Sequence, residues 1–368
     1  MEKKKALIIA FNDLNNSGVP NVIYQTVCSL HDEYDFDIIV FGSNLYYINK
    51  LKELNINNIN VFNFTEQKES SRIRKIISYY FQKKVYEKVK NLFAQNKYDV
   101  VHSFKEYNSW PFLKASKKFN ISKRIVHSTV IHENSGNLLI RFLNKRNKRL
   151  TLKYATKFIG VSEQCCQNTF KEKKYTVIYN GYNENLFNKS VVNKLKNDDL
   201  ILTQVATYNS NKNQLFSLSV FKELINFLPN AHLKLIGKET ENGYLNQMMY
   251  YIKQNNLENN VDLINGEKGV GNHFYYTTFA LLPSKKEGAG IVAIEAQACG
   301  IKVFASSSVS AEMNGGGLIS LDLNKGPSFW AKAIFDEFNK NHNNRQTYDL
   351  KRFSKETFST TIHSIYIN

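Results

Sequence analysis

Short apolar runs, typical of buried strands, recur along the chain and alternate with longer stretches that have helical periodicity. Predicted strands begin the chain at residues 3–11 and continue at 36–42, 59–64 and 98–104. A polar loop follows the first run, and the apolar residues after it repeat with a helical period. Because strands that alternate with helices form parallel sheets, this pattern predicts an α/β fold with a doubly wound first domain.

The same alternation restarts after a polar and charged stretch at residues 183–199, which we interpret as an interdomain linker. Further strands are predicted at residues 200–208, 231–239 and 261–267. A chain of 368 residues exceeds the ~250 residues that one core usually serves. The pattern therefore predicts two doubly wound, Rossmann-like domains.

Residues 279–306 combine a buried strand, a glycine-containing loop, a short helix and a second buried strand. A loop that leaves the carboxyl end of a parallel strand and enters a helix directs free N–H groups outward, which suits a phosphate. Gly290 lies where this helix begins, and the carboxylates of Glu287 and Glu295 flank the loop. The stretch is therefore a candidate site for a charged ligand.

This stretch resembles the Glu-x7-Glu signature of retaining nucleotide-sugar glycosyltransferases of family four. The residues that match at the expected offsets are Pro283, Ser284, Glu287, Gly288, Glu295, Ala296, Ala298 and Gly300. The resemblance implies a GT-B architecture, in which two Rossmann-like domains face a cleft and a C-terminal helix crosses back. The acceptor domain would comprise residues 1–183 with a helix at about 350–368, and the nucleotide-sugar domain residues 184–349.

The resemblance also implies roles for the residues of this loop and helix. Glu295 would accept hydrogen bonds from the ribose hydroxyls of the donor. The backbone N–H groups of Gly290, Ile291 and Val292 would bind the phosphates, and Glu287 would orient the donor sugar. Charged oxygens accept well from hydroxyl groups, which makes these assignments chemically reasonable.

A second family string, G-R-x4-K-N, matches at Lys212 and Asn213, but Thr207 stands where the arginine is expected. Arginine offers phosphate a planar fork of donors, whereas threonine offers one hydroxyl. Diphosphate binding would then depend on Lys212, on the helix that begins after Gly290, or on another cation. Alternatively, Lys212 is one of many solvated basic side chains.

Three further positions follow from the resemblance. In the family, two glycines in this loop let the backbone approach the donor. Gly18 stands at one of these two positions, or it simply permits a turn. His127, in the string RIVHS, matches a strand-end histidine near the donor sugar and would have an electrostatic or orienting role, unless it is only structural. Gly266 belongs to a loop that would line the pocket of the nucleotide base. His102 and His132 are weaker candidates.

A formal net charge of +17 and a pI near 9.4 indicate acidic partners, such as nucleotide diphosphates or an anionic membrane surface. Segments 71–93 and 141–153 interleave basic and apolar residues, so they are candidate contacts with the inner leaflet, or ordinary domain helices. The sequence contains no recognisable module for reading nucleic acid.

Neither a signal peptide nor a membrane-spanning run is predicted, and the four cysteines lack disulfide or zinc spacing. We therefore expect a cytoplasmic protein with peripheral membrane contact. No D-x-D pair lies at a plausible strand end, so we expect no metal and no cofactor besides the nucleotide-sugar donor.

The resemblance, with which the basic segments agree, implies a retaining transferase that moves a sugar, most simply from a UDP-sugar, to a lipid-linked or saccharide acceptor in bacterial capsule or exopolysaccharide synthesis. A UDP-sugar 2-epimerase with the same architecture is an alternative, and it would consume donor without an acceptor. A non-catalytic, transferase-like partner protein is another alternative, because Thr207 replaces the arginine and one glycine beside Gly18 is missing.

Overall fold

The computed structural model describes residues 2–15, 18–64, 82–130, 138–187, 200–266, 273–288, 290–340 and 345–368. The chain divides into two compact units. Unit 1 comprises Met1–Gly181 and Lys355–Asn368, and unit 2 comprises Tyr182–Ser354. Most of the predicted linker, residues 188–199, lies outside the described residues.

Unit 1 contains a sheet of parallel strands. Its strands are β1 (Lys4–Ile9), β2 (Tyr34–Val40), β3 (Ile59–Asn63), β4 (Val100–Ser103), β5 (Lys123–Ser128), β6 (Lys157–Gly160) and β7 (Thr176–Val177). They are ordered β3-β2-β1-β4-β5-β6-β7, so the order reverses between β1 and β4. In open parallel sheets, ligands bind beside the carboxyl ends of the strands at such a reversal.

Helices cover both faces of this sheet. Those described before the second unit are α1 (Gly18–Leu30), α2 (Tyr46–Glu53), α3 (Lys83–Gln95), α4 (Trp110–Lys118), α5 (Leu138–Tyr154) and α6 (Glu163–Phe170). The strands provide almost continuous apolar runs because both of their faces are covered; Leu7 and Ile8 of β1, for example, point to opposite faces and are both fully buried.

Helix α3 corrects one interpretation of the basic segment 71–93. Its apolar residues Val85, Val89 and Leu92 lie in the core of unit 1 with strand residues such as Ile39. This apolar face is therefore used for packing within the unit and does not enter a membrane, whereas membrane contact through the basic residues of the segment stays a prediction. Residues 71–81 of the segment lie outside the described residues.

Unit 2 repeats the architecture. Its strands are β8 (Ile201–Val205), β9 (His232–Gly237), β10 (Val261–Asn265), β11 (Phe279–Leu282), β12 (Lys302–Ser306) and β13 (Leu318–Leu321). All pair in parallel in the order β10-β9-β8-β11-β12-β13, which reverses between β8 and β11. The helices are α7 (Glu184–Phe187), α8 (Gln214–Leu224), α9 (Tyr244–Gln254), α10 (Ile291–Ala298) and α11 (Pro327–Phe338).

The last helix, α12 (Lys355–Ile367), belongs to unit 1, which confirms the predicted return of the C-terminal helix to the first domain. Phe358, Ile362 and Tyr366 are its buried residues. The Tyr366 carbonyl oxygen accepts from the Tyr34 hydroxyl at 3.1 Å and from Lys123 Nζ at 2.7 Å. These contacts fix the end of α12 against β2 and β5.

Next to the point where the chain passes from one unit to the other, hydrogen bonds within each unit hold the backbone. In unit 1, the Gln25 side-chain amide donates to the Gly181 carbonyl at 2.6 Å and accepts from the Gly181 N–H at 3.0 Å. A Cβ atom at Gly181 would lie 3.4 Å from the Lys355 Cα. In unit 2, the Tyr182 N–H donates to the Phe353 carbonyl at 3.2 Å.

Among the helices in the described ranges, none combines the length and the hydrophobicity needed to span a bilayer.

Candidate functional site

The loops after β8 and β11 meet at the carboxyl edge of the unit 2 sheet, where the strand order reverses. The Lys285 N–H donates to the Asn211 carbonyl at 2.8 Å, and Asn211 Nδ2 donates to the Lys286 carbonyl at 3.1 Å. Asn213 Nδ2 donates to the Pro283 carbonyl at 3.2 Å. These bonds hold the two matched family strings side by side.

Lys212 and Glu287 form an ion pair across these loops. Lys212 Nζ lies 2.5 Å from Glu287 Oε2, and the Ser284 hydroxyl donates to the same oxygen at 3.1 Å. The side chains are 24% and 13% exposed, respectively, so the pair is partly shielded from water. A cation that attracts phosphate and a carboxylate that accepts from sugar hydroxyls thus lie together.

Helix α10 begins beside this pair with its first amides available. Gly290 has a φ of +58°, which favours glycine, and an added Cβ would lie 3.3 Å from Val309 Cγ1. In the part of the chain that the structure describes, no acceptor takes the N–H of Gly290, Ile291 or Val292. These are the three donors predicted for the phosphates.

Glu295 lies on the next turn of α10. The residue is partly buried, and its removal from water raises the pKa of the carboxyl group to about 8. No described group donates a hydrogen bond to this carboxyl group. Because a shielded carboxyl without a donor is costly, Glu295 is well suited to receive hydroxyl groups from a ligand.

Thr207 takes part in the geometry of the loop that carries Lys212. Asn209 Nδ2 donates to the Thr207 hydroxyl at 3.0 Å, and Gln214 Nε2 donates to its carbonyl oxygen at 3.0 Å. Asn209 Oδ1 accepts from the Lys212 N–H at 2.9 Å. The residue at the position of the expected arginine therefore shapes the loop, and its phosphate role stays a prediction.

Gly237 is the last residue of β9, and Gly266 follows the neighbouring strand β10. A Cβ at Gly237 would lie 1.9 Å from the Ala206 carbonyl oxygen, so only glycine fits there. The Gly266 N–H donates to the Gly237 carbonyl at 3.2 Å, and a Cβ at Gly266 would lie 3.0 Å from the Gly237 Cα. Close backbone packing accounts for Gly237, whereas the base-binding role of Gly266 stays a prediction. Residues 267–270 lie outside the described residues.

In unit 1, Gly18 is the first residue of α1. No described atom lies within 4 Å of an added Cβ at this position. Both interpretations of Gly18, the turn and the close backbone approach, stay predictions. Open space at this position is compatible with the close approach of a ligand. Ser17 lies outside the described residues.

His127, near the end of β5, is fully buried. Its Nδ1 atom lies 3.2 Å from His102 Nε2, and its Nε2 atom has no partner among the described residues. Burial lowers the pKa of His127 to about 3, so the ring is neutral at pH 7. The predicted electrostatic or orienting role of His127 would therefore be that of a neutral ring, and it stays a prediction. His132 lies outside the described residues.

Glu106, which follows β4, is a residue that sequence reasoning missed. It is 1% exposed and has a φ of +52°, which is uncommon for a residue other than glycine. Its Oε1 atom accepts from the Thr129 N–H at 2.6 Å and from the Thr129 hydroxyl at 2.9 Å. The buried side chain of Glu106, a residue with a strained backbone, thus links the loop after β4 to the loop after β5. No sequence motif identifies this residue.

Comparison with known protein families identifies the class. The model described as "Glycosyltransferase Family 4" matches residues 17–186, and the model described as "Glycosyl transferases group 1" matches residues 187–313. The two matches meet in the region where unit 1 ends and unit 2 begins. The chain belongs to the group 1 glycosyltransferases, as the Glu-x7-Glu loop and the paired sheets indicate.

Known relatives agree with this class. The chain is 24% identical over 268 residues to EpsF of Bacillus subtilis (strain 168), which is named as a glycosyltransferase; the match covers 67% of this chain and 68% of EpsF. Among solved structures, Anabaena Alr3699/HepE in complex with UDP-glucose has a TM-score of 0.77 at 16% identity, with 98% of each chain covered. A glycosyltransferase from Rickettsia africae ESF-5 has a TM-score of 0.71 at 17% identity, covering 100% of this chain and 95% of that one. These likenesses support the GT-B fold.

Proposed function

We propose that this glycosyltransferase moves a sugar from a UDP-sugar to a lipid-linked or saccharide acceptor during synthesis of a bacterial capsule or exopolysaccharide, with retention of anomeric configuration. The observation that carries the proposal is the Lys212–Glu287 pair beside the available amides of α10. The complexes of HepE with UDP and with UDP-glucose support UDP as the donor nucleotide.

Each part of the site takes one part of the donor in this proposal. Glu295 accepts from the ribose hydroxyls, and the amides of Gly290 to Val292 with Lys212 bind the diphosphate. Glu287 accepts from the hydroxyls of the sugar. For Gly18 and His127, which belong to unit 1, the roles that the family resemblance implies stay predictions.

The reaction needs no nucleophile from the protein. The bond between the anomeric carbon and the phosphate oxygen breaks with its electron pair on the oxygen. The acceptor hydroxyl oxygen forms the new bond to the anomeric carbon from the same face, and its proton goes to the departing phosphate. The protein lowers the barrier by stabilising the negative charge that develops on this phosphate, which is the role of Lys212 and the α10 amides.

The acceptor side of the proposal rests on α5. Leu138, Leu139 and Phe142 are 82%, 59% and 65% exposed on its first turns. A groove of about 830 Å³ runs beside them, and every charged residue that lines it is basic: Arg141, Lys145, Lys148, Arg149, Lys153, Lys171 and Lys173. Exposed apolar residues above a basic groove suit the surface of an anionic membrane, where a lipid-linked acceptor resides.

A donor and acceptor screen tests the transfer. UDP-sugars and sugars of other nucleotides are incubated with the protein and a membrane extract, and products are identified by mass spectrometry and by the NMR coupling of the anomeric proton. We expect UDP release only with acceptor present and an unchanged anomeric configuration. Donor consumption without acceptor would instead indicate an epimerase, and inversion would contradict the retaining mechanism.

Transfer is expected to continue after chelation of metal ions. Lys212 and the α10 amides supply the positive charge that faces the diphosphate in this proposal, so a metal ion has no necessary role. Initial rates before and after dialysis against EDTA, with Mg²⁺ or Mn²⁺ restored in a parallel sample, check this expectation. Loss of activity that either ion restores would contradict it.

We expect the double substitution Arg141→Glu with Lys145→Glu on α5 to weaken binding to anionic vesicles at least tenfold. Each basic residue near an anionic membrane surface contributes about 1 kcal/mol to the binding free energy. Flotation with phosphatidylglycerol-containing and neutral vesicles measures the effect. Lys332→Glu with Lys340→Glu is a matched control, since these side chains are 73% and 70% exposed in unit 2. An equal loss in the control would show that only net charge matters.

A further inference from the structure

A chain of buried polar groups connects α12 to β5 through β4. The Tyr366 hydroxyl lies 3.0 Å from His102 Nδ1, and His102 Nε2 lies 3.2 Å from His127 Nδ1. All three side chains have no exposed surface. The chain ends at His127 Nε2, which has no partner in the described ranges although it is buried.

The direction of these hydrogen bonds follows from the available protons. Burial keeps the pKa of the Tyr366 hydroxyl high and those of both imidazoles low, so each ring carries one proton. His102 is the sole described partner of the Tyr366 hydroxyl, which must therefore donate to His102 Nδ1 or leave its proton buried and unbonded. With Nδ1 as an acceptor, His102 carries its proton on Nε2 and donates to His127 Nδ1. His127 then carries its own proton on Nε2.

Packing holds the two rings in this arrangement. The imidazole planes of His102 and His127 differ by 2°, as an in-plane hydrogen bond requires. Phe104 stacks on both rings, with centroids 4.4 Å and 4.7 Å away. The backbone of Tyr366 is held in place by Tyr34 and Lys123, which both donate hydrogen bonds to its carbonyl oxygen.

We propose that Tyr366 and His102 are positioning residues that hold His127 in the tautomer with its proton on Nε2, so that His127 offers a neutral N–H donor to an oxygen atom of the bound substrate. The proposal rests on the proposed function in one respect, the contact of His127 with substrate. The alternative tautomer would present a lone pair, which repels a phosphate or carbonyl oxygen. The C-terminal helix thus determines what the end of β5 presents to a ligand.

The tautomer is measured directly by long-range proton–nitrogen NMR on protein labelled with ¹⁵N-histidine, in which His127→Gln and His102→Gln identify the two signals. We expect both rings of the wild type to carry the proton on Nε2. In Tyr366→Phe, His102 Nδ1 loses its donor, so a population with the proton on Nδ1 is expected in both rings. A wild-type His127 with its proton on Nδ1 would overturn the proposal, whether or not any transfer activity has been found.

Kinetics test the consequence. Tyr366→Phe is expected to lower kcat about tenfold with little change in the KM for donor, because a misoriented donor group mainly affects the transition state. Tyr34→Phe is the matched control, since it removes a hydroxyl that contacts the same helix residue but lies outside the chain of polar groups. Equal kcat losses in both variants would indicate a purely structural role and overturn the proposal.

Substitution of His102 separates hydrogen bonding from packing. A glutamine amide can still donate to His127 Nδ1, whereas a phenylalanine fills similar space without a donor. We expect His102→Gln to retain most of the wild-type kcat and His102→Phe to fall to the level of Tyr366→Phe. The same kcat in both His102 variants would contradict the positioning role while leaving the proposed transferase activity intact.

Discussion

Alanine at either Lys212 or Glu287 is expected to lower sugar transfer by about 100- to 1,000-fold, the usual cost of removing one group that stabilises charge in a transition state. Lys212→Ala removes the cation that faces the departing phosphate. Glu287→Ala removes the acceptor for the sugar hydroxyls and leaves Lys212 without its partner at 2.5 Å. Initial rates with a UDP-sugar and the acceptor found in the screen, together with circular dichroism, measure the effect.

A matched ion pair in the same unit provides the control. Lys302 Nζ lies 2.5 Å from Glu337 Oε1, with side-chain exposures of 28% and 13%, close to those of the Lys212–Glu287 pair. Lys302 is the first residue of β12, at the opposite end of the sheet from the site. Lys302→Ala is expected to leave transfer close to the wild-type rate. If it slows transfer as much as Lys212→Ala, the site assignment is wrong.

Replacement of Glu295 by glutamine is expected to weaken UDP binding most strongly at alkaline pH. The pKa of about 8 means that the wild-type carboxyl group is mostly protonated below this pH and ionised above it. If the ribose hydroxyls donate to the ionised form, wild-type affinity rises between about pH 6.5 and 9, by up to about 100-fold over the variant, since each hydrogen bond to a charged group contributes about 1.5–3 kcal/mol. Calorimetry on both proteins at several pH values gives the difference.

The same substitution predicts a change in stability without ligand. The pKa of Glu295 is raised from 4.5 to about 8 in the folded protein, so the folded state binds more protons than the unfolded state between these values. Wild-type stability from this group is therefore present at low pH and lost as the pH rises to 8. The melting temperature of Glu295→Gln should exceed that of the wild type more at pH 8.5 than at pH 5. A pH-independent difference would contradict the raised pKa.

The fold was largely predictable because the apolar runs are short, continuous and separated by helical periods. Strands buried on both faces leave this signal in any parallel sheet, which explains why β1, β8 and β11 fall where the pattern predicts. For segment 71–93 the sequence left membrane contact and an ordinary domain helix open, because amphipathicity alone does not show whether an apolar face meets a core or a membrane. Only the packing of Val85 and Val89 decides this for α3.

The site was predictable where its residues are consecutive and hidden where they are distant. Glu287, Gly290 and Glu295 belong to one string, so their spacing alone places them around one helix terminus. The contact between His102 and Tyr366 joins residues 264 positions apart, and no local pattern encodes it. The burial of His127 is equally non-local, because it depends on Phe104 and His102 as well as on β5 itself.

The chain leaves unit 1 after Gly181 and returns to it at Lys355, which affects the order in which the two units can fold during synthesis. Unit 1 is interrupted in sequence, and its helix α12 follows the whole of unit 2. Every residue of unit 2 has therefore been made before unit 1 possesses α12. Until then Tyr34 and His102 lack their hydrogen-bond partners on Tyr366, so unit 1 is started before unit 2 but is completed after it.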